Sequence, residues 1–154
     1  MTKLDKLRDI AKRLKEAAGP DRELDLKLCM YGHSILHQGE ADAYLMLPVG
    51  SKHSPRLYPK HFTLSIDAAL VLVERTLPGW RWTVTSDGRE EGVPKAWIWL
   101  ELHFPDDEAK DIPLLRNFYA EAPTAPLAIL RAWAEVYATK LAELDRLIEQ
   151  EKKP

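Results

Sequence analysis

Trp80, Trp82, Trp97, Trp99, Phe118 and Tyr119 crowd the middle of the chain, and Arg22, Arg81, Arg116 and Arg131 stand among and around them. These residue types suit one kind of chemistry. An aromatic face stacks a planar ring for about 1–3 kcal/mol. A guanidinium fork matches the paired oxygens of a phosphate better than a point charge does. Nanomolar capture needs about 12 kcal/mol. One stack and one or two charge-assisted contacts fall short of that once ordering costs are met. A tight site would therefore have to enclose its ligand, most easily between subunits.

Packing offers a competing account of each residue. Trp80 and Trp82 alternate with polar residues, as core positions of a strand do. Trp97 and Trp99 oppose Ile98, Leu100 and Leu102, so both faces of that strand are apolar. Either helices cover both faces, or one face receives a partner or ligand. Phe118 and Tyr119 point to opposite faces, so at most one belongs to the core. Arg22 has carboxylates close by in Asp21 and Asp25, and Arg131 lies one position off an apolar helix seam.

Catalysis is poorly served. His33 and His37 lie four apart in a stretch without helical pattern, and no third ligand accompanies them. Cys29 precedes Met30 in an apolar helix, the setting of an inert thiol. Glu101 and His103 share a strand face, where an exposed ion pair is the simpler expectation than an acid–base couple. Only seven glycines are present and none cluster, so a glycine-rich phosphate loop is missing. A non-enzymatic protein with no catalytic residue, metal or cofactor is expected.

The elements that must position these residues follow from periodicity. Leu4, Leu7, Ala11 and Leu14 make a helical stripe over about 2–18, ended by Gly19 and Pro20. A second helix is expected over 21–31, with Leu24, Leu28 and Tyr31 inward, forming a corner with the first. From Gly32 to Lys60 the pattern breaks, apart from a short strand expected near 43–47. Ser65 caps a third helix, apolar almost all round from Ala68 to Val73, and Pro78 and Gly79 stop it. The period then changes to two. Strands are expected at 80–85, 95–104 and 116–121, separated by a turn at Ser86-Asp87-Gly88 and a polar loop over 105–111. Short sequential connections predict an antiparallel meander. The last helix starts near Thr124. Leu127, Leu130, Ala134, Tyr137, Leu141, Leu144 and Ile148 form its heptad seam, too long for three small strands to cover. Its second half either packs on the N-terminal helix or meets another subunit.

The expected fold class is α+β, a small antiparallel meander sandwiched by helices with a long C-terminal helix. It forms one domain over 1–154: a helical corner (1–31), an irregular insertion (32–60), and the helix, meander and final helix (61–150). A length of 154 residues with 45% apolar and 30% charged residues is an ordinary globular balance. Twenty-two Lys and Arg against 24 Asp and Glu leave a net charge of −2, which argues against bulk nucleic-acid binding. The single cysteine permits no internal disulfide, and the N-terminus lacks the apolar block of a signal peptide, so a cytoplasmic protein is expected. No apolar stretch approaches the roughly 20 residues that span a bilayer.

Three segments carry a family likeness: Gly19-Pro20-Asp21-Arg22-Glu23-Leu24-Asp25; Thr63-Leu64-Ser65-Ile66-Asp67-Ala68-Ala69-Leu70 with Pro78-Gly79-Trp80; and the helix start over 124–132. In this order they resemble the phage ABA-sandwich domain family, over roughly half the chain. Pro126 departs from that pattern, standing one place later than the family's proline. The resemblance implies a sheet between helices. Proteins of this general appearance include Thoeris anti-defence proteins, which hold cyclic ADP-ribose signals, and some hold cyclic oligonucleotides, without cleaving them. What the resemblance implies is a phage-encoded sponge for a nucleotide immune signal, working as a homo-oligomer in the host cytoplasm. The candidate ligand-binding residues are Arg22, Trp99, Arg116, Asn117, Phe118, Thr124 and Arg131. The alternative is a phage interaction protein that acts through its C-terminal helix and takes no small ligand.

Overall fold

The computed structural model describes residues 1–50, 56–85, 93–102 and 114–153, and the side chains of these except at 56, 101, 102 and 114–116. Helix α1 (Lys3–Glu16) opens with a capping box. The Thr2 hydroxyl accepts from the Asp5 N–H, and the Asp5 carboxylate accepts from the Thr2 N–H, each at 3.1 Å. Leu7, Ile10 and Leu14 form its buried stripe. Helix α2 (Arg22–Ile35) is capped by Asp21, which accepts from Leu24 N–H at 3.1 Å. It runs a turn beyond the expected end at Tyr31, because Gly32 continues the helix rather than breaking it. A Cβ at Gly32 would stand 2.4 Å from Leu45 Cδ1, so the glycine makes room for the helix that follows.

The described residues of the segment expected to be irregular form regular elements, and where a short strand is expected near 43–47 a helix runs to Leu45 and the strand begins at Met46. The segment holds α3 (Gln38–Leu45) and a two-stranded antiparallel hairpin of β1 (Met46–Val49) and β2 (Arg56–Pro59). Alternation cannot reveal strands of four residues that contain proline at Pro48 and Pro59. The weak amphipathicity of α3 hid it in the same way: only Ala41 and Leu45 are buried. Helix α4 (Ile66–Thr76) is capped by Ser65, as expected. Gly79 ends the turn after it at φ +86°, a conformation that side chains with a Cβ rarely adopt.

Strands β3 (Arg81–Thr85), β4 (Lys95–Leu102) and β5 (Leu114–Glu121) form the meander in the order β3-β4-β5, antiparallel throughout. The turn at 86–88, the loop over 105–111 and the end of the second strand at Phe104 lie outside the described residues. Helix α5 (Ala125–Glu151) starts behind Thr124, whose hydroxyl accepts from Leu127 N–H at 3.4 Å.

The fold is α+β, with the small meander and long C-terminal helix foreseen from periodicity. α5 is its organising element. From Leu127 to Val136 every residue is buried except Arg131 and Glu135, so no single face accounts for the burial. One side of α5 meets β3, β4 and β5, and others meet α1 and α4. Of the described helices, α5 alone makes broad contact with the meander. Trp133 sits at the centre, fully buried. Its indole N–H donates to Thr76 Oγ1 at 2.7 Å, and that hydroxyl donates to Leu72 O at 2.6 Å. Tyr31 and Tyr137 pack against it with ring centroids 6.1 and 5.8 Å away, and the Tyr31 hydroxyl donates to Lys3 O at 3.2 Å. No described helix is long and apolar enough to cross a membrane.

The core carries three acids that resist ionisation. Burial pushes the Tyr31 phenol up to about 12, with Tyr137 adding to the effect, and raises Tyr137 as well. Burial pushes the Cys29 thiol up to about 11, with Asp42 adding to it, which agrees with an inert thiol. Each group holds its proton more tightly folded than unfolded. The stability this represents is intact below the unfolded values and is lost as pH rises through the folded ones. The melting temperature, followed by circular dichroism, should therefore hold steady to about pH 9 and fall progressively from there to about pH 12.

Candidate functional site

Period-two alternation divides the meander into two unlike faces. Trp82, Val84, Ala96, Ile98, Phe118 and Ala120 point toward α5 and pack in or against the core. The opposite face carries two cross-strand rows. Arg81, Trp99 and Asn117 are paired in one, and Thr83, Trp97 and Tyr119 in the next. The Trp97 and Tyr119 rings lie 5.3 Å apart at 42°. Thr83, Trp97, Trp99 and Asn117 line a shallow depression of about 420 Å³. No described helix covers it. Tyr119 is 41% exposed, and its hydroxyl donates to the Glu121 carboxylate, which pushes the phenol up to about 12.

A platform of this kind presents flat π-surface bordered by hydroxyl and amide groups. It can stack a planar ring and hydrogen-bond its edge. Among the described residues nucleophilic chemistry has no comparable assembly. His33 approaches Asp42 at 3.7 Å, and His37 lies just ahead of α3 without a capping bond. Among the described residues no group of three or more His, Cys, Asp or Glu is placed to hold a metal ion. The Glu101 side chain and His103 lie outside the described residues.

The described side chains of the expected ligand-binding set do not converge. Trp99 and Asn117 do stand together, as cross-strand neighbours on the open face. Phe118 is turned to the other face, where its ring packs 6.1 Å from that of Trp80. Thr124 is occupied as the cap of α5. Arg116 is paired with Leu100 in β5, and its side chain lies outside the described residues.

Arg131 is committed to the backbone. Its Nε donates to Leu14 O at 2.8 Å, Nη1 to Glu121 O at 2.8 Å, and Nη2 to Lys15 O at 3.0 Å and Ala17 O at 3.2 Å. Three of these carbonyls belong to the C-terminal end of α1, where oxygens lack helical partners. The guanidinium therefore caps α1 and ties it to the end of β5.

Arg22 is tied down in the same way. It donates to Asp25 at 3.0 Å and to Pro59 O at 3.1 Å, with His61 Nδ1 3.1 Å away. Asp25 is only 1% exposed. Its other carboxylate oxygen accepts from the Thr63 N–H at 2.8 Å and the Thr63 hydroxyl at 2.9 Å. The sequence preference for an Arg22–carboxylate pair thus agrees with the geometry, and the partner is Asp25 rather than Asp21.

Thr83 was missed as a site residue. The signal was present in the alternation Trp82-Thr83-Val84, which turns Thr83 to the side away from the core. Only the register between β3 and β4 sets it beside Trp97. Comparison of the chain with family models, curated proteins and solved structures finds no match.

Two substitutions separate fold from site. Asp25→Ala leaves the buried Thr63 N–H without its acceptor and removes the carboxylate partner of Arg22. It should cost about 2–4 kcal/mol in urea denaturation. Arg131→Ala uncaps α1 and should cost about 2 kcal/mol in the same measurement, whereas a ligand-binding arginine would leave the apo stability nearly unchanged.

Proposed function

We propose that the chain is a non-catalytic binding protein whose open meander face receives the planar ring of an anionic nucleotide. The observation that carries this reading is the platform of Trp97, Trp99 and Tyr119, bordered by Thr83 and Asn117 and uncovered by any described helix. Two half-buried indoles on a strand face turned away from the core leave apolar surface in contact with solvent, so a partner surface is the economical account of them. The depression falls within the ordinary size range of small-ligand sites. Sequestration of a cyclic nucleotide or cyclic ADP-ribose immune signal by a phage-encoded protein is the role implied by the family resemblance. Arg22 and Arg131, two of the arginines expected to serve it, have structural duties instead, so ring stacking carries more of the reading than phosphate pairing. A second reading, an interaction protein acting through its C-terminal helix, is favoured by the exposed Leu144, Leu147 and Ile148 of α5.

The test is retention. The pure protein is incubated with cyclic ADP-ribose isomers and cyclic di- and trinucleotides, and bound material is released by heat and weighed by mass spectrometry. A ligand at a hundredfold excess over its Kd adds about 2.7 kcal/mol of stability, a rise in Tm of roughly 5–10 °C for a domain of this size. Trp99→Ala should weaken that ligand by about 5- to 150-fold, the value of one stacked base, with the apo Tm little changed. Absence of any retained compound or thermal shift across the panel rejects the nucleotide reading. Release of a chemically altered compound rejects the non-catalytic one.

A further inference from the structure

The apolar seam of α5 outruns its cover. Leu127, Leu130 and Ala134 are buried, and Tyr137 and Leu141 are partly so. Beyond them Leu144 is 53% exposed, Leu147 53% and Ile148 42%. These side chains lie on successive turns of one helix, beside a groove of about 400 Å³ that Tyr137, Lys140, Leu141 and Leu144 help to line. Continuous exposure of this kind differs from the isolated apolar residues of an ordinary surface.

Heptad spacing and flanking charge say what covers it. With Leu141 and Ile148 at one seam position and Leu144 at the other, Lys140 and Asp145 fall on the two flanks. In a parallel, in-register pair of helices, a residue on the first flank faces the residue five places on in the other chain. Lys140 then faces Asp145 of the second copy, and the symmetric contact repeats it. Antiparallel pairing brings each flank against its own kind and loses this match. We propose that a second copy of this chain seats on the 141–151 end of α5, parallel and in register, with Leu141, Leu144 and Ile148 each meeting its counterpart and Lys140 pairing with Asp145 across the interface. About three turns of helix bury less surface than permanent dimers do, so the association is concentration-dependent. It does not rest on nucleotide binding.

Sedimentation equilibrium of the full chain, from micromolar to about millimolar protein, tests this. The average mass should rise from one copy toward two. The Leu144→Asp, Ile148→Asp double variant should stay at one copy throughout, with an unchanged melting curve at low concentration. Lys140→Glu and Asp145→Lys should each weaken self-association by about tenfold. An equimolar mixture of those two variants should regain the native association, because both cross-pairs are then opposite in sign. A single-copy mass at every concentration overturns the proposal, as does a dimer indifferent to the double variant. Failure of the mixture to recover overturns the parallel register.

Discussion

A carboxylate can be buried only if its oxygens find enough donors to replace water, and Asp25 meets that condition with donors from Thr63 and Arg22. One oxygen takes the N–H and hydroxyl of Thr63, and the other takes the Arg22 guanidinium. Arg22 also reaches Pro59 O at the end of the hairpin. Thr63 in turn accepts from Asp21 N–H at 2.8 Å. The start of α2, the end of β2 and the approach to α4 are therefore fixed to one another by a single polar knot. The hydrophobic effect would hold these segments together without specifying their angles. Directional hydrogen bonds to the buried Asp25 and Thr63 specify them, and the direction in which α2 leaves the corner decides where Leu24, Leu28 and Tyr31 enter the core.

Around that knot the molecule is organised by α5. Its first three turns are apolar on every side, which is tolerable only in a helix wrapped by other elements. The meander takes one side, and α1 and α4 take others. Arg131 and Glu135 are the exceptions within the buried run, and the Arg131 guanidinium spans from the end of β5 to the end of α1. Burial lowers its affinity for a proton, the expected effect of partial desolvation on a cation, yet neutral carbonyl oxygens suffice to hold it. Arg22 and Arg131 are thus both charged residues whose work is to tie elements together. A motif built from arginine and aspartate can mark a fold as readily as a ligand.

The meander has one face committed to the core and one rich in aromatic rings. Sheets with a single covered face ordinarily place polar residues on the other. Here Trp97, Trp99 and Tyr119 occupy it, with Thr83 and Asn117 beside them. That departure from the usual pattern, rather than any titratable group, is what distinguishes this surface.

Much of this was legible in the order of residues. Helices α1, α2, α4 and α5 are announced by apolar spacing, and α4 also by Ser65 at its start, because capping and amphipathicity act within a few residues. The meander was legible from the change of period at Trp80. Local order could not show the hairpin of β1 and β2, since strands so short draw their stability from register with each other. Nor could it tell a ligand-binding arginine from a capping one: Arg131 meets α1 across more than a hundred residues, and Phe118 and Trp99 share a sheet but not a face. Which side chains stand together is a matter of long-range pairing and burial, and those belong to the folded chain alone.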